Sequence, residues 1–484
     1  MSNIHDTQYI TTTLPYVNSD PHVGFAMEII RADVCARFYA LDGKKVFFNT
    51  GTDEHGVKVY QKAQEQGVDV QDYVDDYAKK FKGLTGLLNI SSDIHFTRTT
   101  DAQHTAAAQE FWKRCNDNGF IYKKNYQTKY CIGCELEKTD SELVDGKCPI
   151  HSHQELEVID EENYFFKFSE CENFLNEFYA KNPTFVIPDY RFNEIKKFVE
   201  GGLKDFSISR LKTKMPWGIA VPGDSEHVMY VWFDALVNYI SCLGWPQDMN
   251  SFENYWTQGN PIQYAGKDNL RQQSAMWQAM LHAAGLPNTK QVVINGFINS
   301  GGQKMSKSLG NVISPYDIVQ EYGTDALRYY LLRHVHSFED SDMTMEKFKE
   351  AYNANLANGL GNLVQRVMKM IVSYEVDISE LNFGDRDVVL SYHRKHIDAF
   401  DFNKVMEEIW RLIGDLDTFI ASNEPFKKIK VDSAGAHKDL QYLASELGRL
   451  SINLYPMMPD TAAKIQECIT EVKVPEEPLF SRRD

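Results

Sequence analysis

The feature that most constrains the fold is a strand–helix–strand pattern near the start of the chain. Residues 9–14 (YITTTL) are β-branched and aromatic, which is typical of a buried strand that stops at Pro15. Helix-capping residue types fill positions 18–20, Pro21 suits a first helical turn, and apolar residues then recur at helical spacing. Residues 46–49 (VFFN) predict the next strand. The pattern favours an α/β fold with a parallel sheet.

Length and composition bound the class of protein. The 484 residues allow about three domains, and 43% apolar residues with 25% charged residues are typical of a globular protein. No apolar run approaches the ~20 residues of a membrane span, and the polar residues 1–6 lack a signal-peptide pattern, so we expect a cytoplasmic protein without a membrane partner. The net charge of −17 argues against DNA or RNA binding by the whole surface, though one local basic face remains compatible with RNA.

Two polar segments follow the predicted strands and are candidates for ligand binding. His22 and Gly24 lie in the first turn of the predicted helix, where an anion such as a phosphate is stabilised. A helix-capping or surface role is the alternative for His22. Asp53 follows the second strand, at the sheet edge where α/β proteins bind ligands, and its carboxylate suits an ammonium group. Capping of the next helix is the alternative for Asp53.

Paired metal-ligating residues stand in the second quarter of the chain. Cys131-x2-Cys134 is followed after thirteen residues by Cys148-x2-His151, with a turn predicted at residues 145–146. This spacing is typical of a closed, structural zinc site, and it leaves no open position for catalysis. Free thiols are the alternative, and His153 is a competing fourth ligand.

A glycine-flanked loop carries two lysines. Residues 303–310 (QKMSKSLG) hold Lys304 and Lys307, with glycines before and after that allow the loop to move. Lys307 could then bring positive charge to a developing pyrophosphate, an interaction that typically contributes about 2.7–4 kcal/mol. A solvated turn is the alternative.

An aromatic segment precedes that loop. Residues 228–235 (VMYVWFDA) predict a strand that becomes helical from Leu236, and residues 292–298 predict the last buried strand. Aromatic rings pack well against a thioether, so a pocket of Tyr16, Trp232, Ala235 and Tyr239 would suit a methionine side chain. Ordinary core packing is the alternative.

These segments, in this order, resemble the methionyl-tRNA synthetase family of class I aminoacyl-tRNA synthetases. Residues 304–308 match the family's KMSKS loop letter for letter, and residues 22–25 (HVGF) take the place of its HIGH motif. Residues 14–18 (LPYVN), 230–235 (YVWFDA) and 355–366 (NLANGLGNLVQR) are similar to the methionyl branch. Two departures are Phe25, in place of the second HIGH histidine, and Gln273, where the family often has histidine.

The resemblance implies an α/β fold: a Rossmann-type parallel-sheet catalytic domain with a zinc-knuckle connective insertion, followed by an all-α anticodon-binding bundle. We expect residues 1–118 to form the first half of the catalytic domain and residues 119–213 the insertion. The second half should span 214–300, the KMSKS loop and stem-contact region 301–345, and the anticodon-binding domain 346–484.

The resemblance also implies an activity and a set of site residues. The reaction would be activation of L-methionine by ATP to methionyl-adenylate, with Mg²⁺ on the phosphates, and then transfer to tRNA(Met). The implied residues are Lys307, Lys304 and His22 for catalysis; His22, Gly24, Asp268, Lys304 and Lys307 for ATP; Leu14, Tyr16, Asp53, Trp232, Ala235 and Tyr239 for methionine; Cys131, Cys134, Cys148 and His151 for structural Zn²⁺; and Asn362, Arg366 and Phe426 for the anticodon.

Four further expectations concern the rivals and the partners. Leucyl, isoleucyl and valyl synthetases carry a large editing insertion for which residues 119–213 leave no room, and a cysteinyl enzyme would need an open zinc site. A catalytically weakened relative that binds tRNA is the alternative from another class, motivated by Phe25 and Gln273.

The sequence ends soon after Thr461, without the C-terminal module that makes some family members dimeric, so we expect a monomer. The basic residues between Arg191 and Lys214 would either track the tRNA acceptor strand or form a solvated helix face.

Overall fold

The structure, a computed structural model, describes residues 6–134, 136–138, 142–305, 310–381, 383 and 386–483. Its contacts divide the chain into two compact units. The first comprises Met1–Asp20, Lys45–Gly83 and Asp93–Ile294; the second comprises Pro21–Lys44, Leu84–Ser92 and Asn295–Asp484. Within the described residues, no helix combines the length and the apolar character that crossing a membrane requires.

The strands of the described residues fall into four sheets, three of them in the first unit. The strands are β1 Thr7–Thr11, β2 Lys45–Thr52, β3 His95–Arg98, β4 Ile121–Cys131, β5 Leu136–Lys138, β6 Glu157–Phe166, β7 Val186–Ile187, β8 Phe206–Ser207, β9 Ser209–Leu211, β10 Ala220–Val221, β11 Asp224–Met229, β12 Pro261–Gly266, β13 Gln291–Asn295, β14 Ile298–Ser300, β15 Gln303–Lys304 and β16 Ser341–Asp342.

The central sheet of the first unit has six strands in the order β3-β2-β1-β12-β13-β7. The pairs β1–β2, β2–β3, β1–β12 and β13–β7 are parallel, with Tyr9 opposite both Phe47 and Pro261. The predicted α/β class with a parallel sheet is therefore confirmed. Strand β7 lies inside the predicted insertion 119–213 and nevertheless joins this sheet, while β5-β4-β6-β8 form a separate antiparallel sheet. The division into five segments stays a prediction.

Helices occur in both units, and from Met345 onward the regular elements are helical wherever the structure describes the chain. The α-helices are α1 Val23–Leu41, α2 Val57–Gln66, α3 Val70–Leu87, α4 Ala102–Asp117, α5 Glu172–Lys181, α6 Asp189–Glu200, α7 Val231–Ala235, α8 Asn238–Ser241, α9 Met249–Phe252, α10 Trp277–Ala283, α11 Pro315–Tyr322, α12 Thr324–Arg333, α13 Met345–Ala351, α14 Asn362–Ser373, α15 Arg386–Asp398, α16 Phe402–Asn423, α17 Pro425–Lys428, α18 Ser433–Leu454 and α19 Pro459–Thr470. Short 3₁₀ helices span Phe168–Cys171 and Lys267–Asn269, and π-helical segments span Glu253–Thr257, Gln272–Met276 and Tyr352–Gly361.

Aromatic side chains dominate the core of the first unit. Tyr9 on β1 packs against Trp256, and Trp277 contacts the rings of Trp256 and Phe111. Phe111 on α4 also meets Phe233 on α7 edge to face, with ring centroids 5.9 Å apart. Such pairs each contribute about 0.5–1.5 kcal/mol beyond the area that they bury. This core supports the sheet edge and the helices that carry the candidate site.

Helix α1 is the buried centre of the second unit. Its residues are buried on nearly every side, which is the pattern of a core helix and not of a surface helix. Arg31 has no exposed surface and donates to the backbone oxygens of Val335, His336 and Ser337. A buried charge is tolerated when its donors are satisfied in this way.

Three local predictions from the sequence are wrong. The N-cap of α1 is His22 and not one of the residues at positions 18–20, because the imidazole Nδ1 accepts from Gly24 N as a carboxylate would. The predicted strand 228–235 ends at Met229 and continues as helix α7, so Trp232 and Ala235 lie on a helix. The predicted strand 292–298 is broken into β13 and β14 at Gly296, where a Cβ would lie 2.3 Å from the Glu339 backbone.

Candidate functional site

The loop after β2 places Asp53 at the carboxyl end of the parallel sheet of the first unit. Asp53 forms an isolated parallel bridge with Tyr16: Asp53 N donates to Pro15 O at 3.0 Å, and Val17 N donates to Asp53 O at 3.2 Å. The Tyr16 hydroxyl lies against Gly56, where a Cβ would come within 2.3 Å of it. Asp53 is 7% exposed, so its carboxylate is shielded from water and suited to pair with a ligand cation.

Two of the six predicted methionine-binding residues share neighbours in the first unit. Tyr16 and Trp232 both pack against the small buried cluster of Tyr130, Tyr230 and Val231. Ala235 is buried at the end of α7, three residues after Trp232. Leu14 is half-buried in the segment between β1 and Tyr16. The structure therefore brings aromatic surface and a carboxylate into one region, as the pocket hypothesis requires.

Tyr239 is held by Gln273, the residue that departs from the family pattern. Gln273 is 1% exposed, and its Nε2 donates to the Tyr239 hydroxyl at 2.7 Å. Trp277, four residues further on, lies with its ring centroid 5.9 Å from that of Tyr239. Trp277 was not among the residues predicted from the sequence, although a spacing of four places it on the same helix face as Gln273. The amide of Gln273 thus gives Tyr239 a buried donor.

His22 and Gly24 form a compact turn at the start of α1 in the second unit. His22 Nδ1 accepts from Gly24 N at 3.1 Å, which leaves Nε2 as the protonated nitrogen of the neutral ring. Burial and the charge of Lys304 lower the pKa of His22, so the ring is neutral at neutral pH. A Cβ on Gly24 would lie 2.9 Å from His22 Cε1. Glycine is therefore needed here, and Nε2 is free of the cap to donate to an anion.

The lysine loop is described only in part. Gly301 and Gly302, with φ of 61° and 72°, form the turn between β14 and β15, and the exposed Lys304 ends β15. Asn311 Nδ2 donates to Lys304 O at 3.3 Å, which ties the two ends of the loop together. Lys307 lies outside the described residues, so its predicted role stays a prediction.

Asp268 follows β12 in the first unit. It belongs to the short 3₁₀ helix Lys267–Asn269, directly after the strand that pairs with β1, and it is exposed. An exposed carboxylate at the carboxyl end of a parallel strand is accessible to ribose hydroxyls. Its predicted role in ATP binding is compatible with this position.

The four predicted zinc ligands come together at the end of β4. One ligand atom from each of Cys131, Cys134, Cys148 and His151 lies within 4.8 Å of the other three. Cys134 Sγ is 3.5 Å from Cys148 Sγ and 3.3 Å from His151 Nδ1. Zn–S and Zn–N bonds of about 2.3 and 2.0 Å in a tetrahedron place ligand atoms roughly 3.5–3.8 Å apart, close to these distances. These residues could therefore hold a zinc ion.

The surroundings favour His151 over His153 as the fourth ligand. The His151 ring packs directly over Gly133, where a Cβ would lie 2.3 Å from the ring, whereas His153 is exposed. Lys58 Nζ donates to Gly133 O at 2.6 Å and fixes the first pair of ligands. The predicted turn at residues 145–146 is confirmed by left-handed φ values of 51° and 74°.

Loss of one ligand should empty the metal site. We expect Cys148→Ser to lower the zinc content of the purified protein from about one equivalent to near zero, because a structural site needs all four ligands. Faster hydrogen exchange should be confined to residues near 131–151. Metal analysis and hydrogen-exchange mass spectrometry test this, with Cys468→Ser, at a buried cysteine in the second unit, as the matched control. Full zinc content in Cys148→Ser would contradict the assignment.

The predicted anticodon residues lie on helices of the second unit. Asn362 begins α14 and is exposed, and Phe426 on α17 is 42% exposed, a high value for a large aromatic ring. Arg366, one turn after Asn362, is paired with Asp417 on α16 through an Nη2–Oδ1 distance of 2.5 Å. An RNA base would therefore compete with Asp417 for the guanidinium.

Part of the predicted basic stretch 191–214 is not available to RNA. The Arg210 guanidinium is buried between the rings of Tyr130 and Tyr230, at 4.9 and 4.8 Å, and donates to Ser207 Oγ. Lys214 forms an ion pair with Glu161. The position of Arg210 between two tyrosine rings could not be predicted from the sequence, because Tyr130 lies eighty residues before Arg210.

Comparisons with known proteins agree on the family. A family model described as tRNA synthetases class I (M) matches residues 8–157 and 150–368 of this chain. The methionine–tRNA ligase of Thermotoga maritima is 38% identical over 476 residues, which cover 94% of this chain and 74% of that protein. The methionine–tRNA ligase of Rickettsia typhi is 36% identical, with 98% of this chain and 95% of the relative covered.

A solved structure extends the likeness to the fold. Mycobacterium tuberculosis methionyl-tRNA synthetase, solved in complex with methionyl-adenylate, superimposes with a TM-score of 0.88 and 35% identity, covering 98% of this chain and 97% of that one. The match includes both units and the segments that carry the candidate residues. This chain therefore belongs to the methionyl-tRNA synthetase family of class I tRNA synthetases.

Proposed function

We propose that this chain activates L-methionine with ATP to methionyl-adenylate, releases pyrophosphate, and transfers methionine to tRNA(Met). The observation that carries the proposal is the match, over 98% of the chain, to an enzyme solved with methionyl-adenylate. The shielded Asp53 carboxylate beside aromatic surface supports the choice of amino acid, because it pairs an anion for the α-ammonium with rings that suit a thioether.

In the first step, a carboxylate oxygen of methionine attacks the α-phosphorus of ATP, and the Pα–O bond to the pyrophosphate breaks. Asp53 would hold the ammonium, and Trp232, Ala235 and Tyr239 would hold the side chain, so that the carboxylate is oriented for attack. The rate enhancement comes from positioning of the two substrates, which can lower an activation barrier by about 7–11 kcal/mol. No covalent enzyme intermediate is needed.

The phosphate chemistry needs donors and positive charge. His22 Nε2 would donate to a phosphate oxygen, since its Nδ1 is already occupied by Gly24 N. Lys304, whose charge acts on His22, and Lys307 would stabilise the departing pyrophosphate. Asp268 would bind the ribose hydroxyls. Phe25, in place of the second HIGH histidine, cannot donate, which leaves more of the stabilisation to His22 and the lysines.

Two metal ions are part of the proposal. Mg²⁺ bound to the ATP phosphates would neutralise charge as pyrophosphate leaves. Zn²⁺ on Cys131, Cys134, Cys148 and His151 would be structural, because the four protein ligands complete a tetrahedron.

Amino-acid-dependent ATP–pyrophosphate exchange tests the proposal. We expect exchange with methionine and none above background with leucine, isoleucine, valine or cysteine. The alternative, a weakened relative that only binds tRNA, predicts tRNA binding without exchange. Exchange with a different amino acid, or no exchange by a folded protein, would overturn the proposed function.

Phe426 should act on tRNA alone. We expect Phe426→Ala to lower kcat/KM for tRNA about tenfold and to leave ATP–pyrophosphate exchange unchanged, because stacking on one base contributes roughly 1–3 kcal/mol. Tyr392→Ala, at a 71% exposed ring of the second unit, is the matched control and should leave both rates unchanged. A loss of exchange in Phe426→Ala would count against the anticodon assignment.

Two further properties stay predictions. We expect a monomer in solution, which light scattering of the purified protein tests, and a cytoplasmic location, which fractionation of the source cells tests.

A further inference from the structure

One buried carboxylate, which lies between two histidines, is not among the residues assigned to substrate binding. Asp234 on α7 has no exposed surface, and its Oδ2 is 3.0 Å from His55 Nδ1. His104 Nε2 on α4 is 3.7 Å from Asp234 Oδ1. Burial alone would raise the pKa of Asp234, but the charge of His55 and His104 and the hydrogen bond with His55 hold it below its ordinary value. Asp234 is therefore an ionised group in the core.

The His55–Asp234 contact connects the two sides of the proposed methionine pocket, the loop after β2 and helix α7. His55 comes two residues after Asp53, in the loop after β2. Asp234 lies between Trp232 and Ala235 on the short helix α7. Their contact joins residues 179 positions apart in the chain. It fixes the loop that carries the ammonium ligand to the helix that carries the thioether wall.

The rest of the loop is anchored in other directions. Glu54, fully buried, accepts from Arg98 Nε at 2.7 Å and from Thr52 Oγ1 at 2.6 Å. Trp217 Nε1 donates to Glu54 O at 2.7 Å, and the Trp217 ring lies 5.6 Å from the His55 ring. These contacts hold the loop to β3 and to the segment before β10. The contact with α7 runs through His55.

We propose that His55, acting through Asp234, is a positioning residue that sets the distance between the Asp53 carboxylate and the Trp232–Ala235 wall, and so determines methionine affinity. His55 touches no substrate in this assignment. The inference rests on the proposed function, which places methionine between these two walls.

His104 supplies a matched control on the same carboxylate. It approaches Asp234 from α4, and its Nδ1 lies 2.9 Å from Ser241 Oγ on α8. It is 1% exposed, comparable with His55 at 6%. Loss of either histidine removes a partner of the same buried charge, but only loss of His55 releases the Asp53 loop.

The test compares His55→Leu, His55→Asn and His104→Leu in the full-length enzyme. Methionine affinity is measured by calorimetry without ATP, and KM for methionine and for ATP by exchange. We expect His55→Leu to raise the methionine Kd and KM by about tenfold, because a shift well under 1 Å already disturbs a positioned site, and to leave the ATP KM within about twofold. His55→Asn, whose amide can occupy the Nδ1 position, should recover most of the affinity. His104→Leu should lower the melting temperature as much as His55→Leu but leave the methionine Kd within about twofold.

The outcomes separate the positioning role of His55 from the proposed function. The positioning role of His55 would be contradicted if His55→Leu and His104→Leu raised the methionine KM equally. It would also be contradicted if His55→Leu raised the KM for methionine and for ATP in parallel. Either result would show a merely structural role for His55 and would leave the proposed function intact. A wild-type enzyme without methionine-dependent exchange would overturn the proposed function first. If His55→Leu fails to fold, His55→Gln, whose amide lies one bond farther out, takes its place with the same expected loss.

Discussion

Asp53→Asn is expected to weaken methionine binding by about two orders of magnitude or more, because a shielded ammonium that loses its carboxylate forfeits about 3–5 kcal/mol. Asparagine has nearly the same shape, so the bridge between Tyr16 and Asp53, which uses backbone atoms, should persist. The change removes the charge and leaves the loop in place. Methionine Kd from calorimetry, and KM from ATP–pyrophosphate exchange, measure the effect.

Asp268→Asn provides the complementary control for that prediction. It follows a different strand, β12, and is proposed to bind ribose, so it should raise the KM for ATP and leave methionine affinity unchanged. The two variants should therefore affect different substrates. Equal effects of Asp53→Asn on both substrates would contradict its role as the ammonium ligand, and an unchanged methionine Kd would remove Asp53 from the pocket.

Structural elements could be predicted where the residues of one short segment determine its conformation or its ligand spacing. The parallel strands β1 and β2 with a helix between them followed from β-branched runs and helical periodicity, since each reports the conformation of its own segment. The clustering of Cys131, Cys134, Cys148 and His151 followed from their spacing, because two residues between paired ligands suit binding to one tetrahedral ion. In both cases the information is local.

Secondary structure was mispredicted where the residue types that favour a strand are also the types that favour burial. Residues 230–233 are aromatic or β-branched and largely buried, and Val231–Ala235 form helix α7 after β11 ends. Strand propensity largely measures such burial. A capping role for His22 was only an alternative to phosphate binding, and positions 18–20 were preferred as the cap because histidine is an uncommon one. Its Nδ1 nevertheless offers the same kind of acceptor as aspartate.

The contacts that organise the candidate site could not be predicted from the sequence. His55 and Asp234 are 179 residues apart, and Glu54 is paired with Arg98 across two strands. No periodicity or spacing links such residues, because the sheet topology brings them together. The sequence named the residues proposed to touch the substrates, and the structure adds the residues that hold them in position.

The largest effect on stability is expected at Arg328 on α12 in the second unit. Its guanidinium and the Asp33 carboxylate have no exposed side-chain surface, and Nη2 lies 2.8 Å from Asp33 Oδ2. Nε donates to Met457 O at 2.8 Å, and Nη1 donates to Leu88 O at 3.2 Å. One side chain therefore joins α12 to α1, to the end of α3 and to the segment before α19.

Arg328→Met is expected to lower the free energy of unfolding of the second unit by about 3–5 kcal/mol, because it removes one buried partner of Asp33 and leaves the carbonyl oxygens of Leu88, Pro456 and Met457 without this donor. Asp33 keeps its hydrogen bonds from Arg37 and Ser91. Arg411→Met removes an exposed pair with Asp415, in which both side chains are more than 60% exposed, and should change stability by less than about 1 kcal/mol. Urea unfolding with separate probes for the two units measures both variants. Arg328→Lys, which keeps the charge but provides fewer donors, should fall between wild type and Arg328→Met. If Arg328→Met and Arg411→Met shift the unfolding midpoint equally, the buried network does not stabilise the fold in the way its geometry indicates.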